Sequence, residues 1–351
     1  MCSFPFGMME TLELSERYRK VLAIVVEDYI RHAEPVGSRT VSKRLKPPLS
    51  PATVRNIMAD LEELGLLTQP HVSAGRIPTE EGFRYYVENL LETTSLPEST
   101  REEIERAFES EEIEDLSELL KVASRLLTQV TGFPAVVSAP RLGSERLWKI
   151  DFVPLGRGLL LVVAVTQAGI VVNRLLKIPS RISGESLQRL AEYLNLKLPH
   201  LTLEEARDEL LKEIEAERKL LETIFEELEE GEKPAEPIVE GLSKLLEIPE
   251  FKDVERLKGI LQAFEEKNIF VKIIDRCLGA HGVQILIGTE TGLGSPKDLS
   301  AVASPYYRRR QPLGGLAVIG PMRMDYSRVV PVVDYTSRFL SHLLDKLHPR
   351  A

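Results

Sequence analysis

The sequence predicts an α+β fold: a small, mainly helical N-terminal unit, then a sheet domain interrupted by a helical segment. Three observations predict it. Apolar residues recur at helical spacing between Tyr18 and Tyr86, with proline and glycine punctuation. Strand-like runs rich in Val, Ile and Leu occupy Leu147 to Leu176 and return at Val283 to Ile319. Between these runs, from Ser183 to about Lys267, the chain turns helical and acidic. At 351 residues it has room for two or three domains, each with its own core. The boundaries expected from these shifts are 1–95, 96–182, 183–250 and 251–351, the second and last being two parts of one sheet domain.

In chain order, Ser15 is the expected N-cap of a helix to Arg31 with a wide apolar face formed by Val21, Leu22, Val25, Val26 and Tyr29. Ser38 is the expected cap of the next helix, which turns Val41 and Leu45 inward and leaves Arg39, Lys43, Arg44 and Lys46 near solvent. Its N-terminal N–H groups beside Arg39 suit a phosphate oxygen. Pro47 and Pro48 stop it, and Ser50-Pro51 starts a third helix with a cap residue and a proline at the first helical position. Val54, Ile57, Met58, Leu61 and Leu64 form its buried stripe. At about 100° per residue the opposite face carries Ala52, Arg55, Asn56 and Ala59. Gly65 is the expected stop, and Leu66-Leu67 begins a strand that returns through Ser73-Ala74-Gly75-Arg76 to Ile77. Thr79 caps a further helix to Leu91. Its Phe83, Tyr85 and Tyr86 could stack on single-stranded nucleic acid, but aromatics at this spacing belong more often to a core or domain interface.

Helix, turn, helix and hairpin in this order form a winged helix-turn-helix, which places its second helix in a major groove. Arg55 can pair with a guanine edge and Asn56 with an adenine edge. Ser50, Ala52 and Thr53 stand at the helix entrance, Arg39, Lys43 and Lys46 are the expected phosphate contacts, and Arg76 is the expected wing contact. The net charge of −9 is the wrong sign for a protein that coats nucleic acid, so a reader of double-stranded DNA must segregate its positive charge. From Arg31 to Ile57 six basic residues face one acidic residue, whereas Pro199 to Glu250 holds six basic and seventeen acidic residues. Charge alone leaves a solvated helix face equally open; the helix-turn-helix pattern tips the balance.

Downstream, Leu96 to Thr100 reads as a linker and Glu112 to Thr131 as an amphipathic helix. Leu159 to Val165 is apolar on both faces, as a central strand covered on each side would be. Leu201 to Glu230 reads as one long amphipathic helix, with Leu210, Ile214, Leu221 and Phe225 near one side, and Pro234 and Pro237 break it. That stripe needs a cover, from its own chain or from a second copy. Strands resume before a final helix from about Asp325 to Leu347 that Pro331 should kink or start.

SPATVRNIMADLEELGLL (Ser50 to Leu67), SAGRIPT (Ser73 to Thr79) and Tyr85-Tyr86 resemble the N-terminal signature of the HrcA family, heat-inducible repressors of bacterial chaperone operons. GGLAVIGPMRMDYSRVVPVVDY (Gly314 to Tyr335) is similar to that family's C-terminal block. The resemblance brackets nearly the whole chain. It implies a GAF-like domain carrying an inserted helical dimerisation domain, a homodimer on a CIRCE-like inverted repeat, and a GroEL-type chaperonin that keeps the repressor folded until heat diverts it.

The sequence holds no Walker A loop, no HExxH and no GxGxxG, so no catalytic residue and no cofactor is expected. Cys277 and His281 lack the further ligands a metal needs, and the two cysteines form no disulfide framework. Tyr306-Tyr307-Arg308-Arg309-Arg310 is expected to be a solvated basic loop. No apolar run is long enough to span a bilayer and the start lacks a basic signal-peptide region, so a reducing cytoplasmic location is expected. Two other readings remain: a GAF-type sensor of a small ligand, and a winged helix that binds protein.

Overall fold

The computed structural model describes residues 13–346 apart from 73, 110–112, 114–115, 139–145, 168–170, 178–183, 198–200, 203–204, 207–223, 225–236, 252, 266–267, 280–281, 293–298 and 309. The N-terminal unit consists of α1 (Glu16–His32), α2 (Ser38–Arg44), α3 (Pro51–Glu63), the two-residue strands β1 (Leu67–Thr68) and β2 (Ile77–Pro78), and α4 (Glu80–Asn89). The stripes legible in the sequence meet at its centre: Val21, Leu22, Val25 and Val26 of α1, Val41 of α2 and Val54, Ile57, Met58 and Leu61 of α3 are all buried. Helix α3 ends in a Schellman motif, with Leu66 N–H donating to the Leu61 carbonyl (2.9 Å), Gly65 N–H to that of Glu62 (2.9 Å), and Gly65 at φ 75°. The expected cap at Thr79 is present, its hydroxyl accepting from Gly82 N–H.

Helices α5 (Glu98–Glu109) and α6 (Leu116–Thr131) lead into the sheet domain. Glu98 to Thr100, expected to be linker, already belong to α5, whose buried side includes Ile104 and Phe108. Strand β3 (Ala135–Val137) then enters a five-stranded antiparallel sheet of order β7 (Ile238–Glu240), β3, β10 (Gln311–Pro321), β9 (Leu299–Arg308), β8 (Gln284–Ile287). Alternation along the strands supplies two cores. Val302, Leu316 and Val318 face α6 and the last helix, α10 (Tyr326–Lys346). Ala301, Ala303, Ala317 and Ile319 face α9 (Asn268–Leu278) through Phe270, Ile273, Ile274 and Cys277. Helix α8 (Val254–Glu265) precedes α9, and Pro331 lies inside α10 rather than at its start.

The segment between β3 and β7 builds a separate sheet. Strands β4 (Leu147–Gly156), β5 (Leu159–Thr166) and β6 (Val171–Lys177) form a three-stranded meander, with α7 (Gly184–Lys197) packed on one face. Asn195 ties helix to sheet by accepting from Ile150 N–H (2.7 Å) and donating to the Ile150 carbonyl (2.8 Å). The inward residues of the meander, Ile150, Phe152, Leu160, Val162 and Ala164, share a core with Leu187, Leu190 and Leu194, across the expected boundary at 182/183, rather than with the main sheet. Among the described residues β5 is covered on one side only. Leu160, Val162 and Ala164 are buried, whereas Leu159, Leu161, Val163 and Val165 are half-exposed. The expected long helix from Leu201 to Glu230, including Leu210, Ile214, Leu221 and Phe225, lies mostly outside the described residues.

The winged helix is bolted to the sheet domain. Glu80 accepts from Thr289 N–H (2.7 Å), Arg84 donates to the Ile285 carbonyl (3.1 Å) and pairs with Glu290, and Arg323 donates to the Ile30 carbonyl (3.2 Å) while pairing with Glu250. Phe83, Tyr85 and Tyr86 are buried in this region, which settles their role as core. Burial pushes the Tyr86 phenol up to about 12 and raises that of the fully buried Tyr326 still further.

Candidate nucleic-acid interface

Helix α3 is placed by its own N-terminus. Ser50 is extended, its hydroxyl accepts from Thr53 N–H (3.1 Å), and Pro51 occupies the first turn, so one of the orphan N–H groups is satisfied and one is absent. The Ser50 and Thr53 hydroxyls also bond each other at 2.9 Å, leaving one O–H of the pair free to donate outward. The preceding turn is held by Ser42, whose hydroxyl donates to the Leu49 carbonyl at 2.6 Å. Helix α2 starts one residue earlier than a Ser38 cap implies: Gly37 is its cap residue and Ser38 its first helical residue, and no side-chain cap forms there.

On this frame Arg39, Lys43, Lys46, Ser50, Ala52, Thr53, Arg55 and Asn56 are all at least partly exposed, and the buried Val54, Ile57 and Met58 point the other way. The charges divide in an informative manner. Arg39, Lys43, Lys46 and Arg55 have no ion-pair partner among the described residues. Arg44, between them in sequence, is tied to Asp28 at 2.7 Å. Asp60, the nearest acid along α3, accepts from the Tyr18 hydroxyl at 2.5 Å. Free cations therefore stand on the α2 and leading α3 surface, while neighbouring charges are used to join the helices.

The wing has its own geometry. Strands β1 and β2 pair antiparallel, and Val36 adds a bridge to Arg76. Gly75 is required by close approach, since a Cβ there would lie 2.3 Å from the Val36 carbonyl oxygen. Arg76, expected to reach out from the wing, lies at its foot in an ion pair with Glu62 (2.8 Å) near the end of α3. The tip presents His71 and Val72 instead, and Gln69 braces it from within. Nothing in the sequence singles these residues out, because a lone valine between turn residues carries no signal.

Other sequence candidates resolve differently. Tyr306 to Arg308 lie in β9 rather than on a loop; Tyr306 is fully buried and donates to the Ser138 carbonyl at 2.6 Å, and Arg308 is buried too. Arg310 stands at the hairpin turn with φ 70°, and Arg309 lies outside the described residues. Cys277 is buried against the sheet, which raises its thiol to about 12, and His281 lies outside the described residues. Among the described residues no group of three metal-ligating side chains forms, and no helix is long and apolar enough to cross a membrane.

Comparison with known proteins agrees with this geometry. A family model described as the winged helix-turn-helix transcription repressor HrcA DNA-binding domain matches residues 13–89, and one described as the HrcA protein C-terminal domain matches residues 117–330. The heat-inducible transcription repressor HrcA of Geobacter sulfurreducens is 42% identical over 339 residues, covering 95% of this chain and 99% of the relative. That of Syntrophobacter fumaroxidans is 40% identical over 343 residues, covering 95% and 98%. A crystal structure described only as that of a hypothetical protein superposes with a TM-score of 0.62 at 25% identity, covering 95% of this chain and 99% of the other. With both halves matched and relatives aligned nearly end to end, the chain belongs to the HrcA family of heat-inducible, winged-helix transcription repressors, a DNA-binding and non-enzymatic class.

Proposed function

We propose that the protein represses heat-shock chaperone operons in the cytoplasm by binding a CIRCE-like inverted repeat as a homodimer. Arg55 and Asn56 read base edges in the major groove, with Ala52 and the Ser50–Thr53 hydroxyl pair at the entrance. Arg39, Lys43 and Lys46 hold phosphates. Arg76 acts as a strut that fixes the wing to α3. The observation that carries the reading is the division of charge: four cations without ion-pair partners among the described residues share the α2 and α3 surface with Asn56, in a chain of net charge −9.

The second copy is suggested by the meander. Its outer face aligns Val153, Leu161 and Leu175 across the three strands, with Val165 and Val171 beside them, and Val153, Leu175 and Val171 are exposed. An apolar sheet face of this kind needs a cover, and two-fold pairing there matches the symmetry of an inverted repeat. The GroEL-type chaperonin and heat release rest on the family resemblance. No observation favours the ligand-sensor reading: β9 and β10 carry apolar side chains packed on both faces of the main sheet.

A gel shift with the full-length protein tests the assignment. A palindromic duplex should bind as a dimer complex with affinity falling steeply with salt. Arg55→Ala should change the preference among duplexes; an unchanged preference removes Arg55 from base reading. Lys43→Ala should weaken all duplexes alike and flatten the salt slope by about 1–2 per dimer. An unchanged slope removes Lys43 from the phosphate contacts.

A further inference from the structure

The wing tip combines rigidity with an apolar end. Gln69 Nε2 donates to two carbonyls across the loop, Val72 at 3.0 Å and Ala74 at 2.9 Å, and Ala74 N–H donates to the His71 carbonyl at 2.8 Å. Below them Val36 and Arg76 exchange two backbone hydrogen bonds at 2.9 Å, Gly75 packs on the Val36 carbonyl, and Arg76 is paired to Glu62. The Gln69 side chain and the backbone N–H of Ala74 are thus spent inward on fixing the loop, while His71 stays exposed beside Val72. Val72 is 98% exposed, the highest value for a large hydrophobic side chain among the described residues. A single exposed hydrophobe is ordinary. One carried at the tip of a braced hairpin, with its χ1 already restricted by β-branching, loses little freedom when it makes a contact.

We propose that Val72 is a second reading element, seated in the minor groove next to the major-groove site of α3, where it selects A·T over G·C pairs by shape. This rests on the DNA-binding reading above. The wing tip has no free arginine or lysine to offer a phosphate, since Arg76 is engaged at the foot. Beside the His71 imidazole it offers the isopropyl group of Val72, which suits the apolar walls of the groove. The guanine 2-amino group projects from the minor-groove floor, and an A·T pair leaves that space clear. Apolar side chains are used in this groove by other DNA-binding proteins. Gln69 is the positioning residue, acting through the loop that carries Val72.

The test uses the full-length protein and a duplex selected by it from a random pool. Pairs flanking the α3 contacts are then changed from A·T to G·C and to inosine·C. The last carries the major-groove face of G·C without the minor-groove amino group. The wild type should lose affinity with G·C and regain it with inosine·C. Val72→Ala should bind the A·T-flanked duplex about fivefold more weakly and no longer distinguish the three flanks. Equal treatment of inosine·C and G·C by the wild type, or undiminished discrimination by Val72→Ala, would overturn the inference. Gln69→Met keeps the side-chain length and removes both donated hydrogen bonds. It should erode the flank discrimination, and it should add nothing in combination with Val72→Ala. Additive losses would remove Gln69 as a positioning residue. Failure to select any duplex overturns the DNA-binding reading itself, whereas a selected duplex that is indifferent to Val72 overturns only the wing.

Discussion

The two sheets of this molecule solve the same problem in different ways. The five-stranded sheet hides both faces within one chain: α6 and α10 cover Val302, Leu316 and Val318, and α9 covers Ala301, Ala303, Ala317 and Ile319. Among the described residues the three-stranded sheet has α7 on one face, and Leu161, Val163 and Val165 are half-exposed on the other. The first is a complete core. The second is closed on one side only among the described residues, and the proposed pairing with a second copy draws on that difference.

Charge placed in each sheet should break the comparison most sharply. Val318→Asp puts a carboxylate between packed layers and should cost on the order of 3–5 kcal/mol, abolishing a cooperative thermal transition. Leu161→Asp should leave a folded monomer and remove the dimer in sedimentation. A Leu161→Asp protein that stays dimeric would show that the outer face is not the interface. Truncation sharpens the same contrast. Leu316→Ala should lower stability by about 2–5 kcal/mol in chemical denaturation. Leu161→Ala should change the stability of the isolated monomer by less than ~1 kcal/mol and act on the dimer dissociation constant. A pH series is the next smaller effect. Tyr86 titrates near 12 when folded against 10.0 as a free phenol, and Tyr326 is raised in the same direction. A raised folded pKa means that their contribution is complete below pH 10 and is lost as pH climbs through the folded value. Denaturation midpoints should therefore hold below pH 10 and fall above it, and Tyr86→Phe should reduce the fall. Last, Cys277 reports on coverage without changing stability. With Cys2 replaced by serine, a thiol reagent at neutral pH should react only as the protein unfolds, because burial holds Cys277 near 12. Fast reaction with the native protein would mean that the α9 side of the main sheet is open.

Most of the candidate site is legible without the fold. Ser50-Pro51 marks the start of α3 through its own few residues, and 100° periodicity puts Arg55 and Asn56 outward once Val54 and Ile57 are inward. The place of Arg76 is not legible, because its partner, Glu62, comes near only when the hairpin folds back on the end of α3. Helix α5 gives little apolar signal, since its buried residues are Ile104 and Phe108 alone. The strand runs are plain in the sequence, but their sheet membership is not. Leu159 to Val165 reads as a central strand, and it is one, but of a separate three-stranded sheet whose second face is half-exposed among the described residues.

By itself the sequence determined what depends on neighbours within a turn or two: the start and stop of α3, most of the buried stripes of α1 and α3, the exposed pair Arg55 and Asn56, and the family signatures at both ends. Tertiary structure decided which strands share a sheet, which cations are paired and which side chain leads the wing. The physical reason is range. A cap or an amphipathic stripe is set by residues about four apart. The pairing of β3 with β7 and β10 joins residues more than a hundred positions apart, and that is settled only when whole layers compete to bury their apolar faces.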